Sequence, residues 1–92
     1  MGYIVEYRSK AENHLFAYKK AGNKLAIARI KRIEEELKEH PQTGIGSPEQ
    51  LKYGYSGFWS REITQKNRMI YEIDEVVNLV SIHSLMYHYD DK

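Results

Sequence analysis

Hydrophobic and polar positions in the first half of the chain follow two different periods. A short β-prone run over residues 3–7 predicts a first strand. Ser9 and Glu12 have the Ser-x-x-Glu spacing of a capping box, which predicts that a helix follows. Apolar residues then recur at spacings of four and three, at Ala11, Leu15 and Tyr18. Because Gly22 is a natural left-handed end, this helix is predicted over about residues 9–21.

A second apolar stripe, with spacings of four, three and four residues, predicts another helix. Its members are Ala26, Ile30, Ile33 and Leu37. Asn23 can cap the start of this helix. Its end is predicted at His40, because the residue before a proline avoids the α region.

Residues 41–56 contain two prolines and three glycines and show no apolar period. They predict a loop of about fifteen residues, a length that is uncommon in compact domains and is usually functional or disordered. The charged residues of this loop, Glu49 and Lys52, are therefore candidate functional residues.

Three β-prone runs follow, over residues 58–63, 68–73 and 76–83, and their short connections favour antiparallel pairing. Alternation within the second run puts Arg68 and Glu72 on a polar face, where chemistry could occur. The order of elements predicts an α+β fold, a small and mostly antiparallel sheet with both helices packed on one face. We expect residues 1–92 to form a single domain.

Composition is that of an ordinary globular protein, with 41% hydrophobic and 29% charged residues. The chain has no cysteine, which excludes disulfides and thiolate zinc sites. No signal-peptide pattern and no run of about 18 apolar residues occurs, so we expect a cytoplasmic protein without a membrane span.

Basic residues are unevenly distributed, although the net charge is only +1. Six of them occur between Glu12 and Glu34 without an acidic residue: Lys19, Lys20, Lys24, Arg29, Lys31 and Arg32. They form either a solvated helix face or a surface for RNA or an acidic partner, and the sequence leaves both interpretations open.

Side chains suited to catalysis occur in the long loop, on adjacent strands at Arg61 and Arg68, and in the Tyr-His-Tyr segment at 87–89. This set suits RNA cleavage, in which a base deprotonates the 2′-hydroxyl, cations stabilise the phosphorane and an acid protonates the 5′-oxygen. Alternatively, the arginines are merely solvated or paired and the terminal aromatic residues only pack. We expect no metal and no cofactor, because the histidines are scattered and no HExxH, DxD or GxSxG spacing is present.

Four motifs occur in order along the chain: Pro-Glu-Gln-Leu-Lys at 48–52, Ser-Gly-Phe-Trp-Ser-Arg at 56–61, Asn-Arg-Met-Ile-Tyr at 67–71 and Tyr-His-Tyr at 87–89. Together they resemble the YoeB/Txe family of toxins in the RelE superfamily. The resemblance implies a RelE-like β-α-α-β-β-β fold and a toxin of a type II toxin–antitoxin system. Such a toxin is a ribosome-dependent endoribonuclease that cleaves messenger RNA and is neutralised by a YefM-like antitoxin. Toxins of this kind can be homodimers.

The resemblance also implies roles for individual residues. Glu49 resembles the general base, His88 the general acid, Arg68 the stabiliser of the phosphate charge and Tyr89 the residue that orients the nucleotide. Two basic residues would hold the RNA backbone, Lys52 and Arg61.

The chain also departs from the family pattern. Glu62 and Met86 stand where such toxins often have arginine, and Asn67 stands where a histidine is common. An alternative function therefore stays open, a RelE-fold module that binds antitoxin or RNA without turnover. Adjacent strand residues point to opposite faces, so we expect at least one of Phe58 and Trp59 in the core.

Overall fold

The computed structural model describes residues 2–52 and 57–88, which form two helices and a five-stranded sheet. The elements are β1 (Ile4–Tyr7), α1 (Ser9–Lys20), α2 (Lys24–Leu37), β2 (Glu49–Gln50), β3 (Phe58–Glu62), β4 (Arg68–Asp74) and β5 (Leu79–Tyr87). The strand order is β1-β5-β4-β3-β2, with β1 parallel to β5 and every other neighbour antiparallel. The predicted α+β fold is confirmed, and β2 is a short additional strand inside the predicted loop.

The helix ends follow the sequence signals in part. Asn23 caps α2, since its side-chain oxygen accepts a hydrogen bond from the Ala26 N–H at 3.1 Å. Gly22 has a φ of 69°, as predicted for a left-handed helix end. The predicted capping box is wrong, because Arg8 precedes the helix without a side-chain cap. The Arg8 N–H instead bonds to the Ile82 carbonyl at 2.9 Å, so the sheet fixes where α1 begins.

The core lies between the helices and one face of the sheet. Apolar stripes of both helices are buried there, as their periodicity predicted, and they meet the inward residues of the two central strands. These residues include Ala11, Tyr18, Ala26, Ile30, Ile33 and Leu37 from the helices and Met69, Tyr71, Ile73, Val80, Ile82 and Leu85 from the strands. The other face of the sheet carries alternate residues of the same strands and is where polar side chains collect.

The last strand begins and ends later than predicted. Val76 and Val77 lie in an exposed turn that Asp74 stabilises by accepting a hydrogen bond from the Val76 N–H at 3.0 Å. Strand β5 then continues to Tyr87, and its pairing with β4 contains a bulge near Ile70. As a result, Tyr87 pairs with Arg68 at the edge of the sheet where β4 begins.

Candidate active site

Arg68 lies at the centre of the candidate site. It is the first residue of β4, which has β3 on one side and β5 on the other. Its Nε donates a hydrogen bond to the Ser60 hydroxyl at 3.2 Å, and its Nη2 donates to the Ser47 carbonyl at 3.3 Å. The same Nη2 lies 3.9 Å from Oε1 of Glu49 in β2. The side chain of Arg68 is only 16% exposed, whereas that of Glu49 is 61% exposed. The guanidinium is therefore held in one orientation beside an accessible carboxylate.

The segment that leads to Glu49 is shaped by two residues with positive φ. Ser47 has a φ of 51°, an uncommon conformation for a residue with a side chain, and its carbonyl accepts the hydrogen bond from Arg68. Gly46 has a φ of 81° and packs so closely that a Cβ there would lie 2.8 Å from the Glu62 carbonyl oxygen. Only glycine fits this close approach to β3.

Arg61 does not belong to the site. Its side chain is completely buried, and its Nη1 donates to Oε1 of Glu36 at 2.6 Å. Its Nε donates to the Tyr71 hydroxyl at 3.1 Å. Its other contacts are backbone carbonyl oxygens of the preceding loop, those of His40, Thr43 and Ile45. The prediction that Arg61 holds the RNA backbone is therefore wrong, because the core side of the sheet encloses this guanidinium.

Glu36 is ionised in this arrangement. Burial by itself would raise the pKa of its carboxyl group, but the Ile45 N–H and the Arg61 guanidinium both donate hydrogen bonds to it. The net effect is a pKa below the ordinary value. The pair of Arg61 and Glu36 thus anchors the loop that carries the candidate base.

His88 follows Tyr87 directly, so the pairing of Tyr87 with Arg68 brings the imidazole to the same edge of the sheet. The Nε2 of His88 is hydrogen-bonded to Oδ1 of Asn67, in the turn before Arg68. An amide oxygen only accepts hydrogen bonds, so Nε2 is the nitrogen that carries hydrogen. We refer to Glu49, Arg68 and His88 as the catalytic edge, since they are the candidate base, phosphate-stabilising residue and acid. Tyr89 lies outside the described residues, as do Ser56 and the three residues that follow Tyr89.

A groove with a volume of about 570 Å³ runs over the open face of the sheet next to the catalytic edge. Its apolar and aromatic lining consists of Leu51, Phe58, Ile70, His83 and Tyr87, with Ser84. Three cations surround it, and we refer to them as the basic rim: Arg8, Lys10 and Lys52. Lys52 was a predicted RNA-binding residue, and its position in the rim is compatible with that role.

Arg8 and Lys10 were missed by the sequence analysis, which considered the later basic run instead. A signal for Lys10 was available, because a cation in the first turn of a helix is unfavourable for the helix dipole. The six residues of the later basic run are all exposed on the helices, and none of them lines the groove. Phe58 lies in the groove whereas Trp59 packs against the core, which agrees with their predicted opposite directions.

Residues 2–52 and 57–88 contain neither a metal-binding cluster nor a membrane-spanning helix. No three histidine, aspartate or glutamate side chains in these ranges lie close enough together to hold a metal ion. Neither helix within the same ranges has the length and apolar character needed to cross a membrane.

Comparison with known proteins gives one consistent result. The model of the family described as YoeB-like toxins of bacterial type II toxin–antitoxin systems matches residues 7–89. Toxin YoeB of Escherichia coli (strain K12) is 32% identical over 74 residues, which cover 80% of this chain and 86% of the relative. Toxin RelK of Mycobacterium tuberculosis (strain ATCC 25618 / H37Rv) is 37% identical over 76 residues, which cover 80% of this chain and 85% of the relative.

Solved structures agree with the sequence comparison. The YoeB dimer from Staphylococcus aureus superposes with a TM-score of 0.83 at 26% identity, over 97% of this chain and 100% of that chain. The YoeB–YefM complex from the same organism superposes with a TM-score of 0.79 at 27% identity, with the same coverage of both chains.

Proposed function

Because the chain belongs to the YoeB-like toxins of bacterial type II toxin–antitoxin systems, we propose that it is an endoribonuclease that cleaves messenger RNA on the ribosome and so inhibits translation. One observation supports this proposal above the others. A carboxylate, a preorganised guanidinium and an imidazole share the catalytic edge, next to a groove with a basic rim. These are the groups that cleavage by the RNA's own 2′-hydroxyl requires.

In the proposed reaction, Glu49 removes the proton of the 2′-hydroxyl, whose oxygen attacks the adjacent phosphorus. The bond from phosphorus to the 5′-oxygen breaks, and His88 donates a proton to that oxygen as it leaves. The products are a 2′,3′-cyclic phosphate and a 5′-hydroxyl. No metal ion or cofactor takes part in these steps. Lys52 holds the RNA backbone, and Tyr89 orients the nucleotide beside the acid.

Arg68 stabilises the additional negative charge on the phosphate oxygens in the transition state. A guanidinium that is already oriented needs little reorganisation when this charge develops, which makes its contribution to catalysis large. Ser60 and Ser47 supply the orientation, since they accept hydrogen bonds from two different nitrogens of the guanidinium. The long 3.9 Å approach to the exposed Glu49 is a weak ion pair, and an incoming phosphate can replace it at little cost.

His88 would donate its proton from Nδ1 as the imidazolium, in which both ring nitrogens carry hydrogen. Its Nε2 keeps the hydrogen bond to Asn67, and the loss of the Nδ1 proton leaves the neutral imidazole with hydrogen on Nε2. Asn67, which stands where a histidine is common, therefore holds the ring of the proposed acid.

The proposed partner is a YefM-like antitoxin, since the relative from Staphylococcus aureus was solved in complex with YefM. We propose that an acidic antitoxin segment lies across the groove and the catalytic edge, where it would face the basic rim. A homodimer is proposed on the same ground, from the YoeB dimer of that organism. Because ribosomes and messenger RNA are in the cytoplasm, we also propose that the protein acts there.

A growth assay tests whether the chain is an enzyme. The wild type and a Glu49→Ala, His88→Ala double variant are induced in bacteria without antitoxin, and their soluble levels are matched. We expect the wild type to arrest growth and the double variant to permit it. If the wild type and the double variant were equally toxic, or equally harmless, the proposed enzyme activity would be contradicted. Equal harmlessness would favour a fold that binds antitoxin or RNA without turnover, the alternative suggested by Glu62, Asn67 and Met86.

A further inference from the structure

Two rings on the groove floor have no part in the proposed reaction. Phe58 in β3 and His83 in β5 lie on either side of β4, with ring centroids 5.1 Å apart and planes inclined by 42°. Both line the groove. We refer to these two rings as the aromatic pair.

The imidazole of His83 is held in place from the neighbouring strand. Its Nε2 lies 3.1 Å from Oε1 of Glu72, whose strand position is opposite Phe58. The side chains of His83 and Glu72 are 30% and 41% exposed, so this contact adds little to the stability of the fold. The contact instead holds the imidazole ring of His83 in one orientation on the floor of the groove.

The surroundings of the aromatic pair match the needs of single-stranded RNA. Proteins bind such strands by stacking bases on aromatic side chains while cations follow the phosphates. Here Leu51 and Ile70 make the adjoining floor apolar, and the basic rim provides charge complementary to a polyanion. Glu72 lies four residues beyond Arg68 on the same strand, a distance of about 13 Å, so one RNA strand can reach both the aromatic pair and Arg68.

We propose that the aromatic pair is a nucleobase subsite. One unpaired base adjacent to the scissile phosphate stacks on Phe58 and His83, and the flanking phosphates lie along the basic rim. This subsite rests on the proposed function in that its ligand is the RNA substrate. Binding at the subsite requires no cleavage, so the two can be tested separately.

The test measures binding of a short, fully 2′-O-methylated oligonucleotide, which cannot be cleaved by its own 2′-oxygen. A fluorescein at one end reports binding to the free chain by anisotropy, and each base in turn is replaced by an abasic residue. In the wild type, removal of the base at one position should weaken binding at least about fivefold, the effect of losing one stacked base. Phe58→Leu should weaken binding of the intact strand similarly, and should no longer respond to removal of that base.

Phe16→Leu is the matched control, because Phe16 is 67% exposed on α1 and does not line the groove. It should behave as the wild type in every titration. A second readout uses the unmodified chain, in which the imidazole NMR signals of His83 should shift when the intact oligonucleotide is added. The shift should be smaller with the abasic strand.

The proposal is overturned if Phe58→Leu binds the intact strand like the wild type. It is also overturned if that variant still responds to base removal, or if the His83 signals stay unmoved. These outcomes are independent of cleavage. If base removal weakens binding but the wild type does not arrest growth, the subsite is supported and the proposed enzyme activity is contradicted. If the wild type arrests growth but base removal has no effect on binding, the enzyme activity is supported and the subsite is contradicted.

Discussion

The guanidinium of Arg61 and the carboxylate of Glu36, 25 positions apart in the sequence, form a 2.6 Å ion pair beneath the loop that leads to the catalytic edge. Arg61 also donates to three loop carbonyls, and Glu36 accepts the Ile45 N–H. The pair thus connects α2, β3 and the loop. It holds the part of the loop that precedes Glu49 against the core.

Arg61→Ala should destabilise the fold by about 3–5 kcal/mol, because it leaves the Glu36 carboxylate and several carbonyls without their donor. Arg32→Ala is the matched control. Its Nε lies 3.9 Å from the same carboxylate, but the side chain is 68% exposed, so we expect a change below about 1 kcal/mol. Urea unfolding of the two variants measures the difference. Equal stability of both would contradict the structural role of Arg61.

Stability should fall in acid partly through Glu36. Its pKa in the folded protein lies below the ordinary value of 4.5. The stabilisation is therefore fully present above that ordinary value and is lost as the pH falls through the lower, folded-state pKa. Glu36→Gln should show a flatter decline of the unfolding free energy below pH 4.5 than the wild type. Parallel curves for the two proteins would mean that the pKa of Glu36 is the same in the folded and unfolded protein.

Arg68→Ala should lower cleavage by about two to three orders of magnitude, as the loss of one preorganised electrostatic partner does. The melting temperature should change by less than about 5 °C, because Arg68 lies on the open face rather than in the core. Lys66→Ala, in the exposed turn before β4, is the control and should retain full activity. A loss of activity matched by a large fall in melting temperature would identify Arg68 as a structural residue.

Asn67→Ala should reduce cleavage about tenfold or more by releasing the ring of His88. If Asn67 only supported the fold, its loss would leave the imidazole tautomer of His88 unchanged. NMR of the ring nitrogens therefore distinguishes a structural role of Asn67 from a positioning role. We expect hydrogen on Nε2 in the wild type and a mixture of tautomers in the variant. An unchanged tautomer in the variant would show that Asn67 does not position His88.

Much of the fold was predictable because its signals are periodic and local. The apolar stripes of both helices and the alternation in β4 depend on residues close in sequence, and the structure agrees with them. The start of α1 at Ser9 was predicted, but the way it is fixed was not, because the backbone of Arg8 bonds to Ile82 of the distant strand β5. The two-residue strand β2 has no pattern of its own and exists only through pairing with β3.

The candidate site was predictable to a similar degree. Motif resemblance and strand pairing pointed to Glu49 and Arg68, which the structure brings within 3.9 Å. Arg61 was misassigned because an arginine on a strand looks the same in sequence whether it faces solvent or a buried carboxylate. Its partner Glu36 and the loop carbonyls are distant in sequence, so only the fold reveals them.

The most direct test of the account is the chemistry of the cut. Purified chain is given ribosomes programmed with messenger RNA, and the products are identified by mass spectrometry with and without a 2′-deoxy nucleotide at the cleavage site. Attack by the 2′-oxygen, with Glu49 as base and His88 as acid, predicts a 2′,3′-cyclic phosphate, a 5′-hydroxyl fragment and no cleavage of the deoxy substrate. A 5′-phosphate product, or equal cleavage of the deoxy substrate, would contradict the roles proposed for Glu49 and His88.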